Sequence, residues 1–139
     1  MGEIVSGARR LSSEELMDRS WRAASGLASL GVGRGDTVAI YLRNDFPFFE
    51  ASYAAGRVGA YATPVNWHYT EDEARYLFEN SEAKVIVIHA DLLGPVANVV
   101  PDGVRVLAVE TPPEVAAAYG IDPARCKVPT GMTDWSAWL

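Results

Sequence analysis

Cysteine is almost missing from these 139 residues: Cys126 stands alone, which excludes an intrachain disulfide framework and a cysteine-based zinc site. A reducing cytosol fits that usage, so the expected localisation is cytoplasmic. Next to Lys127, with no histidine near it in sequence, the thiol reads as a bystander rather than a nucleophile. Histidine is scarce as well. His68 and His89 are the only two, and neither is spaced from a Ser, a Cys or the other His as a catalytic pair or metal site requires. No catalytic residue and no metal ligand is expected. Apolar runs never approach the roughly 18 residues of a transmembrane segment, and Met1-Gly2-Glu3-Ile4-Val5 lacks the basic and apolar regions of a signal peptide. Positive charge is in deficit: 12 Lys and Arg against 18 Asp and Glu leave a net charge of −6, so the surface repels phosphate backbones. Nucleic acid is not an expected partner.

What is present is one domain's worth of chain with 49% hydrophobic residues, enough for a single core. After a short strand at Arg9 to Leu11, Ser12 and Glu15 form a capping box, and Leu16, Met17, Trp21, Ala24, Leu27 and Ala28 recur at helical spacing until Gly31. Thr37 to Leu42 is a nearly continuous apolar run, the pattern of a strand covered on both faces. Asp45 caps a second helix, with Pro47 in its first turn, running to Gly59; Ala60 to Val65 is a second buried strand. Thr70 and Glu73 are another capping box, opening a helix that buries Ala74, Leu77 and Phe78. Lys84 to Ile88 is a third strand, Asp91 to Val99 a short helix interrupted near its start by Pro95, and Val104 to Val109 a fourth strand. This alternation predicts an α/β fold, a mostly parallel sheet of about four strands with helices on both faces. Residues 1–139 are expected to form a single α/β subdomain, with an alternating core at about 10–111. The tail at 112–139 reads as less regular, with a helix at Pro113 to Tyr119 and a docking cluster of Trp135, Trp138 and Leu139.

Gly31-Val32-Gly33-Arg34-Gly35 has dinucleotide-loop spacing, but it follows a helix and precedes a strand, so a phosphate would meet helix carbonyls; it reads as a helix stop. Thr130-Gly131-Met132-Thr133 lacks a following Lys and reads as a turn. Glu71-Asp72-Glu73 fills a first helical turn, where the dipole favours carboxylates. In an open parallel sheet, ligands bind outside the carboxyl ends of the strands. His68 and His89 follow the second and third strands, and Asn44, Asn66, Trp67 and Asp91 project from the same edge. Trp67 offers a flat surface for stacking, or a lid on the core, while Asn44 and Asn66 can also serve turn backbone.

Leu30-Gly31-Val32-Gly33-Arg34-Gly35-Asp36-Thr37-Val38-Ala39-Ile40-Tyr41-Leu42, Asn44, Gly56-Arg57-Val58-Gly59-Ala60 and Pro64-Val65-Asn66-Trp67-His68-Tyr69-Thr70 follow one another in an order that resembles the start of the AMP-forming acyl-CoA synthetases. Glu73 and Asn80-Ser81-Glu82-Ala83-Lys84-Val85 continue it, so the likeness runs from about Arg10 to about Asp91. The Asn66-Trp67-His68 variant looks most like bacterial fatty-acyl-CoA ligases. The resemblance implies the N-terminal subdomain of an adenylate-forming ligase, an enzyme that uses ATP with Mg²⁺ to make an acyl-adenylate and passes the acyl group to coenzyme A. It also implies that Asn66, Trp67, His68, His89 and Asp91 help hold the nucleotide part of CoA, and that the partners are the remaining ligase domains and a second copy through Met1 to Leu16. The family's Ser/Thr/Gly-rich loop ending in Pro-Lys-Gly and its catalytic Lys do not occur here, so the isolated chain is expected to be inactive and to need no cofactor of its own. The alternative is a free-standing nucleotide- or CoA-binding, or dimerisation, module without catalysis.

Overall fold

The computed structural model describes residues 2–139; Met1, the first residue of the expected self-association segment, lies outside them. Strands β1 (Glu3–Ser6) and β2 (Arg9–Ser12) pair antiparallel around Gly7, whose φ of 60° closes the turn. The sequence reading expected only the second of these. Helix α1 (Ser13–Ser29) begins with the complete capping box, Ser12 and Glu15 each satisfying the other's backbone N–H. It ends at the glycine turn, where Gly31 and Gly35 take φ of 83° and 85°.

From here strand and helix alternate: β3 (Thr37–Tyr41), α2 (Phe46–Arg57), β4 (Tyr61–Pro64), α3 (Glu71–Ser81), β5 (Val85–His89), α4 (Ala90–Val96), β6 (Arg105–Val109), α5 (Pro113–Tyr119), β7 (Thr133–Asp134) and α6 (Trp135–Trp138). The five later strands form one parallel sheet in the order β4-β3-β5-β6-β7. Side chains alternate across it, as the two-residue period of a strand requires. Val38, Ile40, Val85, Val87 and Leu107 pack with α1, α2 and Trp135 on one face. Ala39, Tyr41, Ile86 and Ile88 pack with α3 and α4 on the other.

Three expectations change. The sheet has five strands rather than about four, because β7 in the tail adds to β6 and leads into the wholly buried Trp135. β4 is an edge strand, and Tyr61 is 67% exposed rather than buried. On α1 the buried face is Leu16, Ser20, Ala23, Ala24 and Leu27, while Met17 and Trp21 point outward. Helical spacing gives a stripe but not which of two adjacent stripes faces the sheet, and small residues win where α1 crosses α2 closely.

Candidate functional site

The strand order places a topological switch between β3 and β5, since the chain leaves β3 towards β4 and then crosses back to β5. Ligands of open α/β sheets sit at the carboxyl ends of such a pair. Here Arg43, two residues beyond β3, meets His89 at the end of β5 and Asp91 in the first turn of α4. The Arg43 guanidinium donates to both oxygens of Asp91 at 2.8 and 2.7 Å, with both side chains almost wholly buried. The Thr111 hydroxyl, just beyond β6, donates to Asp91 at 2.6 Å, and Arg125 donates to the Asp91 carbonyl at 2.8 Å. Burial opposes a charge on Asp91, but the hydrogen bonds from Arg43 and Thr111 and the field of Arg43 outweigh it and hold the carboxyl below its ordinary value.

His89 is fully buried at the end of β5. Its Nδ1 accepts the backbone N–H of Arg43 at 3.1 Å, so the ring proton belongs on Nε2, which faces Asp45 Oδ2 at 3.8 Å. That gap is too long for a direct hydrogen bond, and both atoms lack a partner. Asp45 precedes α2 as expected, yet its side chain does not cap the helix; its other oxygen accepts from Arg9 on β2 at 2.8 Å. Burial raises the Asp45 carboxyl, but the His89 ring, the Phe46 N–H and Arg9 together bring it down to about 2.

The Arg43 guanidinium of this network lies over two rings, 4.7 Å from the centre of Trp67 and 5.1 Å from that of Tyr119. Trp67 and Tyr119 meet edge to face at 5.2 Å, and the exposed His68 ring lies against Trp67 with the ring centres 3.6 Å apart. Asn66 uses its side-chain oxygen to accept the His68 N–H, the turn role weighed for it. Residues Arg9, Arg43, Asn44, Trp67, Glu114 and Tyr119 line a cleft of about 260 Å³ at this edge. The Nε atoms of Arg9 and Arg43 are buried without a hydrogen-bond acceptor, and that of Arg9 faces the Glu114 carboxylate at 3.8 Å.

The structure thus brings Trp67, His68 and Asn66 together at the rim and puts His89 and Asp91 underneath, where each is already engaged by protein groups. Arg43, Arg9 and Tyr119 escaped the sequence reading. Arg43 had a signal: a lone cation closing the apolar run Val38 to Leu42, one residue before the candidate Asn44. Tyr119 had none, since only the return of α5 to the edge brings it near Trp67. Among the described residues no group of three or more His, Cys, Asp or Glu could hold a metal ion, and no helix is long and apolar enough to cross a membrane. Cys126 is buried, and burial pushes its thiol up.

Known proteins share this fold. A family model described as AMP-binding enzyme matches residues 3–130. The medium/long-chain-fatty-acid–CoA/3-oxocholest-4-en-26-oate–CoA ligase of Mycobacterium marinum is 35% identical over 99 residues, which are 71% of this chain and 18% of that enzyme. The chain therefore spans less than a fifth of the length of this curated relative. A solved acyl-CoA synthetase from Brucella canis superposes with a TM-score of 0.73 at 26% identity, covering 94% of this chain and 22% of that one. A benzoate CoA ligase from Burkholderia xenovorans LB400 shares the fold with a TM-score of 0.76 at 16% identity, over 96% of this chain and 24% of its own. With a family match over nearly its whole length, the chain belongs to the AMP-binding enzymes, and its fold is that of the N-terminal portion of an adenylate-forming ligase.

Proposed function

We propose that this chain is the N-terminal part of an AMP-forming acyl-CoA ligase and supplies the coenzyme side of that enzyme's site. The observation that supports it is the cleft at the carboxyl edge, where the Trp67 and Tyr119 rings stand beside Arg9 and Arg43. A nucleotide bearing phosphate fits that donor set: a base can stack on Trp67 once His68 moves aside, and anionic oxygens suit the arginines. Trp67, His68 and Asn66 make the contacting rim. His89 and Asp91 act from below, Asp91 by fixing the Arg43 guanidinium and His89 by holding the Arg43 backbone.

In the whole enzyme, ATP with Mg²⁺ supplies the activated phosphoryl centre that a carboxylate attacks, and CoA supplies the acyl-accepting thiol. The residues of this chain bind and orient, and none is assigned to the chemical steps. On this reading the rest of the ligase is the chain's chief partner, a second copy meets it through residues 2–16, and the enzyme works in the cytoplasm. A fatty acid is the proposed substrate, in keeping with the Mycobacterium marinum relative. Two assays test the proposal. Calorimetry should find saturable binding of CoA that Trp67→Ala weakens at least tenfold, and CoA binding unaffected by that change would remove the coenzyme assignment. ATP–pyrophosphate exchange by the isolated chain with a panel of carboxylic acids should be undetectable, and turnover would overturn the division of labour.

A further inference from the structure

We propose that the turn of the β1–β2 hairpin is a phosphate seat at the rim of the cleft, and that Glu114 occupies it as a built-in stand-in which an incoming phosphate displaces. Glu114 reaches from the first turn of α5 back to the hairpin. One of its oxygens accepts the Ala8 backbone N–H at 2.9 Å, and the other faces Arg9 Nε at 3.8 Å. Gly7 makes room for it, since a Cβ at that position would collide with the carboxylate. Arg9 Nη2 donates to the Ser6 hydroxyl at 3.1 Å, which leaves that hydroxyl its own proton to offer. Ser6, Gly7, Arg9 and Glu114 all line the cleft.

The carboxylate fits this place imperfectly. It satisfies the Ala8 N–H, but 3.8 Å is too long for a hydrogen bond and Arg9 Nε is left without an acceptor. A phosphate is tetrahedral, carries more negative charge and offers oxygens in several directions, so it can take both donors at once. Arg9 is already aimed for that task, because Asp45 holds its Nη2 at 2.8 Å from the other side and leaves Nε turned towards Glu114. Displacing Glu114 costs little: the side chain is nearly half in solvent, and exposed ion pairs of this kind are weakly held. Charge-assisted bonds from a backbone N–H and a guanidinium to phosphate are the stronger class. The seat rests on the coenzyme reading of the cleft and refines it by naming where a phosphate of the nucleotide sits.

Two-dimensional NMR of the ¹⁵N-labelled chain tests the seat, with inorganic pyrophosphate and CoA titrated in parallel at fixed pH and ionic strength. Pyrophosphate is expected to move the Ala8 amide and the Arg9 Nε–H together. Glu114→Gln keeps the side chain's shape and an oxygen for Ala8 while removing the competing charge, so its pyrophosphate dissociation constant should fall at least about fivefold. An equal gain for CoA assigns the seat to the coenzyme's phosphate, and a gain for pyrophosphate alone assigns it to a free anion. Pyrophosphate that moves neither group, or that binds Glu114→Gln no more tightly than wild type, overturns the seat. The coenzyme reading fails separately: CoA without effect on the Trp67 indole removes that reading and leaves a pyrophosphate response standing, whereas a Trp67 response with silent Ala8 and Arg9 keeps the coenzyme and removes the seat.

Discussion

At the amino end of the sheet Lys84 meets Asp36 at 3.1 Å with half of its side chain in solvent; at the carboxyl end Arg43 grips Asp91 through two bonds with almost nothing exposed. Both pairs join the segments flanking β3 and β5, so topology alone does not explain the difference. Asp36 answers to local needs: it is held below its ordinary value first by the Gly33 N–H, at 2.8 Å, and then by Lys84, and it closes a glycine turn. The carboxyl-end pair instead carries two aromatic rings and is bonded to Thr111 just beyond β6 and to Arg125 in the tail. A sheet of this class keeps its ligand edge where strands end, and there the chain buries the Arg43 and Asp91 charges in a connected network.

The comparison can be broken by mutation. Asp91→Asn should strand the Arg43 charge and cost about 3–5 kcal/mol in urea unfolding, enough to threaten folding, whereas Lys84→Ala should cost under about 1 kcal/mol. Equal costs would mean that the two ends differ only in appearance. Trp135→Phe removes a donor, at 2.9 Å, to the buried Glu50 and should lower stability by about 1.5–3 kcal/mol. That result would extend the contrast, because Glu50 also takes Arg19 at 2.5 Å and so ties the tail to α1 and α2.

Acid sharpens the same contrast. Asp45 and Asp91 have folded-state values below their unfolded ones, so their stabilisation is present above pH ~4 and is lost as pH falls through the folded-state values, about 2 for Asp45. Asp45 should account for on the order of 1–2 kcal/mol of that loss, less than its full shift because the Arg9 side is open to solvent. Unfolding midpoints measured from pH 5 to about 2 should fall in wild type and more gently in Asp45→Asn. An equal slope in both would remove Asp45 from the account.

Much of the fold was legible because its signals are local. Both capping boxes close as read, Pro113 to Tyr119 is a helix, and the apolar runs at 37–42 and 84–88 are the two central strands to within a residue. The rest depended on partners distant in sequence. Glu3–Ser6 is a strand because Arg9–Ser12 lies opposite it, and two residues, Thr133 and Asp134, make a strand only because β6 offers an edge. The candidate site divides in the same way. Trp67, His68 and Asn66 could be placed at the edge from strand ends alone, but whether His89 and Asp91 face solvent or Arg43 is decided by packing across three strands. Sequence spacing carries no record of which polar group a buried neighbour will claim.

The most direct measurement is a map of where coenzyme A meets the chain, by backbone and side-chain NMR shifts during titration at fixed pH. The account predicts saturable changes concentrated on the Trp67 indole, the Arg9 and Arg43 Nε–H groups and the α5 residues around Tyr119. Changes confined to the outer surfaces of α1 and α3, or none up to millimolar coenzyme, would contradict it.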